Sequence, residues 1–130
     1  IITGMYKLWY KGAYICREDG FEAWFRFYRD DAVIMMFTEN DPNEDEMLES
    51  FNKCNPEVAY GTYDKSKERI EFELTYPGPA PNYIPIEFVE FTGVIENWTL
   101  VLNYTNTTKG TSGEYFCRFD EFDFTLCEDE

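Results

Sequence analysis

Histidine is absent from the 130 residues. That removes Ser-His and Cys-His nucleophilic pairs, imidazole general bases and histidine-ligated metals in one step. The four cysteines (Cys16, Cys54, Cys117 and Cys127) form no C-x-x-C pair, so a zinc site lacks its usual ligand set. Cations are scarce: Lys+Arg 11 against Asp+Glu 26 leaves a net charge of −15. Such a chain repels phosphate backbones and anionic headgroups, so neither nucleic acid nor membrane is an expected partner. No stretch approaches the ~20 apolar residues of a spanning helix. The longest uncharged run, Leu74 to Ile86, is interrupted by Pro77, Pro79, Pro81 and Pro85 and reads as a loop entering a strand. No basic segment followed by an apolar run stands at the start, and the opening IITGM without an initiating Met is expected of a chain trimmed upstream. The phosphate-cradling patterns G-x-x-x-x-G-K-[ST] and G-x-G-x-x-G and the nucleophile elbow G-x-S-x-G are missing too. No cofactor is expected.

What the chain has in quantity is aromatic side chains, 19% with Phe 12 and Tyr 10, and these favour strands. Period-two patterns recur throughout. In Glu68 to Tyr76, ERIEFELTY, Ile70, Phe72, Leu74 and Tyr76 share one face, and charged or polar residues hold the other. Val58–Tyr63 precedes it across the polar turn Asp64–Lys67. Ile84 to Ile95 reads as one long strand or two, with Gly93 marking a bend or bulge. Trp98, Leu100, Leu102 and Tyr104 alternate with Thr99, Val101 and Asn103, and Glu114–Phe119 forms a last strand that Phe122 and Phe124 extend. Near the start, Met5–Tyr10 and Gly12–Arg17 read as short strands. Phe21–Tyr28 and Ala32–Thr38 form a hairpin around a two-residue turn, Asp30-Asp31.

One segment has helical spacing. Asp41-Pro42-Asn43-Glu44 supplies an N-cap acid, a first-turn Pro and a Glu three residues on, and Met47, Leu48, Phe51 and Cys54 follow as one stripe over Pro42–Lys53. About eight strands in sequential hairpins plus one short helix predict an all-β fold, an antiparallel up-and-down barrel whose closure removes exposed edges. Residues 1–130 read as a single domain. Four cysteines allow three disulfide pairings, and in such a barrel Cys16, on an early strand, comes near Cys117 on the last. Buried, reduced thiols in a cytoplasmic protein are the expected state of the cysteines. Asn97-Trp98-Thr99, Asn103-Tyr104-Thr105 and Asn106-Thr107-Thr108 are acceptor patterns for glycosylation only in a secreted eukaryotic protein.

The two-residue turn pairs Tyr28 with Val33, Arg26 with Met35 and Trp24 with Phe37. The opposite face carries Phe27 with Ile34 and Phe25 with Met36. Both faces are apolar, so the barrel interior takes one, and the helix or a partner subunit covers the other. If Trp24, Arg26 and Tyr28 point inward, they give a pocket with aromatic walls and one cation, suited to an apolar acid. If they point outward, Arg26 pairs with one of the many carboxylates.

The stretches Gly12–Arg17, Phe25–Asp30, Val33–Met36, Thr38–Pro42 and Tyr60–Tyr63 resemble the lipocalin-like C-terminal domain of an F-box protein subfamily. Its pattern is G-x-Y-I, an R-F-F-x-D-G turn, a V-x-M-L strand, a T-x-x-x-P exit and a G-x-Y strand. The likeness spans Gly12 to about Tyr76 and implies a lipocalin-like (calycin) barrel. Asp31 stands where the pattern has its turn glycine, and no F-box is present, so a role in ubiquitin ligation is not implied. The wider superfamily sets an Arg of the last strand over an aromatic of the first, which Arg118 over Tyr14 or Tyr6 would reproduce.

The expected function is a non-catalytic binding module, for a small apolar or amphipathic ligand in the barrel or a protein partner on its surface, as monomer or homodimer. Trp24, Arg26, Tyr28 and Arg118 are the candidate ligand residues. An acidic calcium-binding protein is the alternative. Asp41, Asn43 and Asp45 begin like an EF-hand loop, but Glu46 replaces its glycine and Asn52 its last glutamate, so the helix cap explains them better. Carboxylate neighbours such as Glu71 and Glu73 mark no catalytic pair, and an enzyme is the reading with least support.

Overall fold

Alternating burial along β5 (Arg69–Tyr76), where Ile70, Phe72 and Leu74 are buried and Arg69, Glu71 and Glu73 exposed, shows how this chain builds a sheet with one dry face. The computed structural model describes residues 6–76 and 87–126. Seven further strands accompany β5: β1 (Gly12–Glu18), β2 (Phe21–Phe27), β3 (Ala32–Thr38), β4 (Ala59–Ser66), β6 (Glu87–Glu96), β7 (Thr99–Asn106) and β8 (Thr111–Glu121). Each pairs antiparallel with its sequence neighbour, and β8 returns to β1, so the sheet closes as a barrel of eight strands. The single helix among the described residues, α1 (Glu44–Ser50), lies between β3 and β4, and none is long and apolar enough to cross a membrane.

The β2–β3 register differs from the expected one by a single residue. Phe27 pairs with Val33, Phe25 with Met35 and Trp24 with Met36. The turn is the cause. Asp31 sits at φ 72°, its N–H donates to the Tyr28 carbonyl, and the Tyr28 N–H donates to the Ala32 carbonyl. The connection is thus Arg29-Asp30-Asp31, a three-residue loop ending in a left-handed residue, instead of the two-residue turn. Asp30 fastens it by accepting from the Ala32 N–H at 3.1 Å and from Lys53 Nζ at 2.7 Å. A shift of one residue exchanges the faces of one strand relative to the other. Val33 and Met35 accompany Phe25 and Phe27 inward, and Ile34 and Met36 accompany Trp24 outward.

Two apolar layers result. The interior holds Tyr14, Phe25, Phe27, Phe72, Phe91 and Tyr115 among others. Phe25 meets Phe91 edge-on at 5.4 Å between ring centroids, and Phe72 stacks on Phe91 at 4.8 Å. Such pairs contribute about 0.5–1.5 kcal/mol each beyond the area they bury. The second layer lies outside β1–β3, where Ala13, Ile15, Trp24 and Ile34 pack against Met47 and Phe51 of the helix region. The helix covers that face as the sequence led one to expect. Phe122 and Phe124 join it there instead of extending β8, with Phe122 against Trp24 at 5.1 Å and Phe124 against Phe51 at 5.8 Å.

Other local expectations shift. The helix cap is Asn43, not Asp41: the Asn43 side chain accepts from the Glu46 N–H, while Asp41, at φ 52°, donates its own N–H to buried Glu22. Residues 6–10 form no strand. They close the far end of the barrel, where Trp9 stacks on Trp98 at 4.4 Å and donates its backbone N–H to the Tyr14 hydroxyl. The start of the expected Ile84–Ile95 strand and the proline run 77–86 lie outside the described residues.

Candidate functional site

The β3–β4 ladder ends at Met35↔Ala59, although β3 continues through Met36, Phe37 and Thr38 beside β2. The chain leaves the sheet after Thr38 to build α1, and the barrel wall parts there. β5 ends and β6 begins at the same level, with Leu74 opposite Val89 and Tyr76 opposite Glu87. A cavity of about 590 Å³ occupies this mouth, within the range of small-molecule sites. Its apolar wall is carried by Met35, Phe37, Ala59, Leu74, Val89 and Phe91.

Below the cavity the lumen is filled. Phe25, Phe72, Phe91 and Tyr115 close the space by mutual ring contacts, so the opening reaches only part-way down. At the lip Phe37 is 56% exposed and Tyr76 44%, large apolar rings that a partner molecule could cover. The lip also bears Glu57, Glu87 and Lys109, and Lys109 Nζ lies 2.7 Å from Glu87 Oε1. The charge at the mouth is therefore acidic on balance, in keeping with the whole chain.

The residues singled out in the sequence lie elsewhere. Trp24, Arg26 and Tyr28 face out under the helix, since the β2 interior face belongs to Ala23, Phe25 and Phe27. Arg26 is 5% exposed. Its Nη1 donates to the Phe51 carbonyl at 2.8 Å, and its guanidinium lies 4.6 Å from the Tyr28 ring centroid and 4.4 Å from that of Phe124. Those contacts tie the barrel wall to the end of the helix and to the C-terminal tail. Arg118 stands exposed on the outer face of β8, while the Tyr14 ring is enclosed by Phe27 at 5.7 Å and Phe119 at 5.0 Å. Neighbouring positions on a strand point to opposite faces, so Phe119, not Arg118, meets Tyr14.

Asn43 caps the helix, Asp45 lies in its first turn and Asp41 donates its N–H to Glu22 instead, and among the described residues no group of three or more His, Cys, Asp or Glu is placed to hold a metal ion. The expectation of wholly reduced cysteines fails at Cys54, which is disulfide-bonded, whereas Cys16 and Cys117 are free and buried.

Sequence reasoning placed Leu74 on the apolar face of its strand and Val89 and Phe91 within the next strand, assigned no face to those two, and did not see that the three line a mouth. Period two gives the face of a residue but not the depth at which its ladder stops. Lys109 carried no signal, being one lysine in a Thr- and Gly-rich turn. No protein-family model, no curated protein and no solved structure matches the chain.

Proposed function

We propose that the protein is a non-catalytic, lipocalin-like binding module that takes a small apolar ligand into the mouth between β3 and β6. The observation that carries this reading is the apolar cavity at an end of the barrel where the wall parts. Lipocalin-like kinship is supported by the up-and-down order of eight strands, the plugged far end and the sequence resemblance in Gly12–Tyr76. With Arg26 outside the lumen and Lys109 paired to Glu87, the cavity offers an acid no free cation among its described lining residues. A neutral or cationic apolar molecule suits a mouth edged by Glu57 and Glu87 on a chain of net charge −15 better than an anionic one does. The disulfide at Cys54 favours an oxidising compartment over the cytoplasm.

Fluorescence titration with the neutral probe N-phenyl-1-naphthylamine tests the reading. Saturable binding is expected, weakened at least tenfold by Phe37→Glu at the exposed lip and by Ala59→Trp, which fills the cavity. Binding untouched by both substitutions, in variants that keep the far-ultraviolet spectrum of the parent, would contradict it.

A further inference from the structure

The β1–β8 ladder runs Gly12↔Glu121, Ala13↔Asp120, Tyr14↔Phe119 and Ile15↔Arg118. One more step in the same antiparallel register sets Cys16 opposite Cys117. Both belong to the interior cluster, at 1% and 0% exposure, and both are free. Residues directly opposite on antiparallel strands have Cα atoms about 4.5–5.5 Å apart, inside the 4.4–6.8 Å span of disulfides. The thiols are hydrogen-bonding neighbours: contact with Cys117 lowers the pKa of Cys16, and the same contact raises that of Cys117. Cys16 Sγ also donates to Glu18 Oε1 at 3.5 Å, a weaker influence that opposes its ionisation.

We propose that Cys16 and Cys117 form a cross-strand disulfide that staples the seam of the barrel. The seam is where such a bond does most. β1 and β8 are the first and last strands among the described residues, their ladder shows four partner pairs against eight for β7–β8, and the crosslink closes a loop of about 100 residues, the regime in which loop-closure stabilisation is large. The oxidant is a low-molecular-weight disulfide such as oxidised glutathione, of the kind present wherever Cys54 became bonded. The Cys16 thiolate attacks one sulfur of that disulfide, forming a mixed disulfide and expelling one thiolate. Deprotonated Cys117 then attacks the Cys16 sulfur and expels the second. Two electrons pass from the protein thiols to the oxidant, and the two thiol protons end on the two expelled thiols. Because both sulfurs are buried, exchange occurs while the seam is open, during folding or on local unfolding.

The test uses the full chain purified without reductant, one sample left native and one unfolded and refolded in a buffer of oxidised and reduced glutathione. Peptide mapping without reduction is expected to show the Cys16 and Cys117 peptides joined after refolding. The intact mass falls by ~2 Da, both residues become resistant to iodoacetamide in denaturant, and Tm rises by ~10 °C over the starting material, whose Cys54 bond is unchanged. Full alkylation of both residues after refolding, or a stable glutathione adduct on Cys16 beside a free Cys117, would overturn the proposal. A joined peptide with unaltered Tm would overturn the stapling role.

Discussion

At the scale of single residues, Arg26 decides between two accounts of this protein. As a lumenal cation it would hold an acid. As an outward residue it joins β2 to the Phe51 carbonyl and to the rings of Tyr28 and Phe124. Substituting it leaves buried polar partners unsatisfied, which typically costs 2–5 kcal/mol in such settings. Arg26→Gln is therefore expected to lower Tm by ~10 °C while the Kd for N-phenyl-1-naphthylamine stays within twofold. A large loss of probe affinity with little change in Tm would return Arg26 to the ligand. The sequence singled out Arg26 as the charge on one apolar face of the hairpin and passed over Glu22, on the same face of β2, which is as deeply buried and accepts from the Trp24 indole N–H. It could not assign the face, because both faces of that hairpin are equally apolar and a one-residue change in the turn exchanges them.

At the scale of elements, the strands were legible because alternation records burial directly. β5, β7 and most of β6 lie where their patterns placed them. The helix was legible as an amphipathic stripe, but its cap moved from Asp41 to Asn43 because Asp41 turns its N–H to Glu22 Oε2. Glycines in strands carried information that the sequence could not decode. Gly61 on β4 was read only as part of a G-x-Y pattern. In the structure a Cβ there would lie 1.9 Å from the Glu73 carbonyl oxygen on β5, so the two backbones approach as only glycine permits. Gly61→Ala is expected to destabilise by about 3 kcal/mol in urea unfolding, more than an ordinary surface change. A loss under 0.5 kcal/mol would show that the two strands are not in such close contact.

At the scale of the molecule, the buried phenols make the barrel sensitive to alkali. Tyr14, Tyr63 and Tyr115 have their pKa values pushed well above the usual 10.0, chiefly by burial. A group whose folded pKa exceeds its unfolded one contributes fully below the unfolded value, and that contribution is lost as pH rises beyond it toward the folded value. Tm should be unaffected by these three groups below about pH 9.5. Above pH 10 they are expected to remove up to about 4 kcal/mol of stability per pH unit. Phenolate absorbance near 295 nm should then show part of the tyrosines ionising only together with unfolding. Smooth ionisation of all tyrosines near pH 10 in a barrel that stays folded would contradict this.

Closure of the barrel, the covered outer face of β1–β3 and the acidic surface all followed from alternation, spacing and charge. The parting of the wall after Met35 did not, since the sequence shows where strands run but not where their ladders stop. That opening is the centre of the functional reading, and a native mass spectrum in mild buffer with N-phenyl-1-naphthylamine tests it most directly. One probe molecule per chain is expected on the parent and on Arg26→Gln, lost on denaturation and missing from Ala59→Trp. An unmodified chain mass at saturating probe would mean that the mouth is not a ligand site.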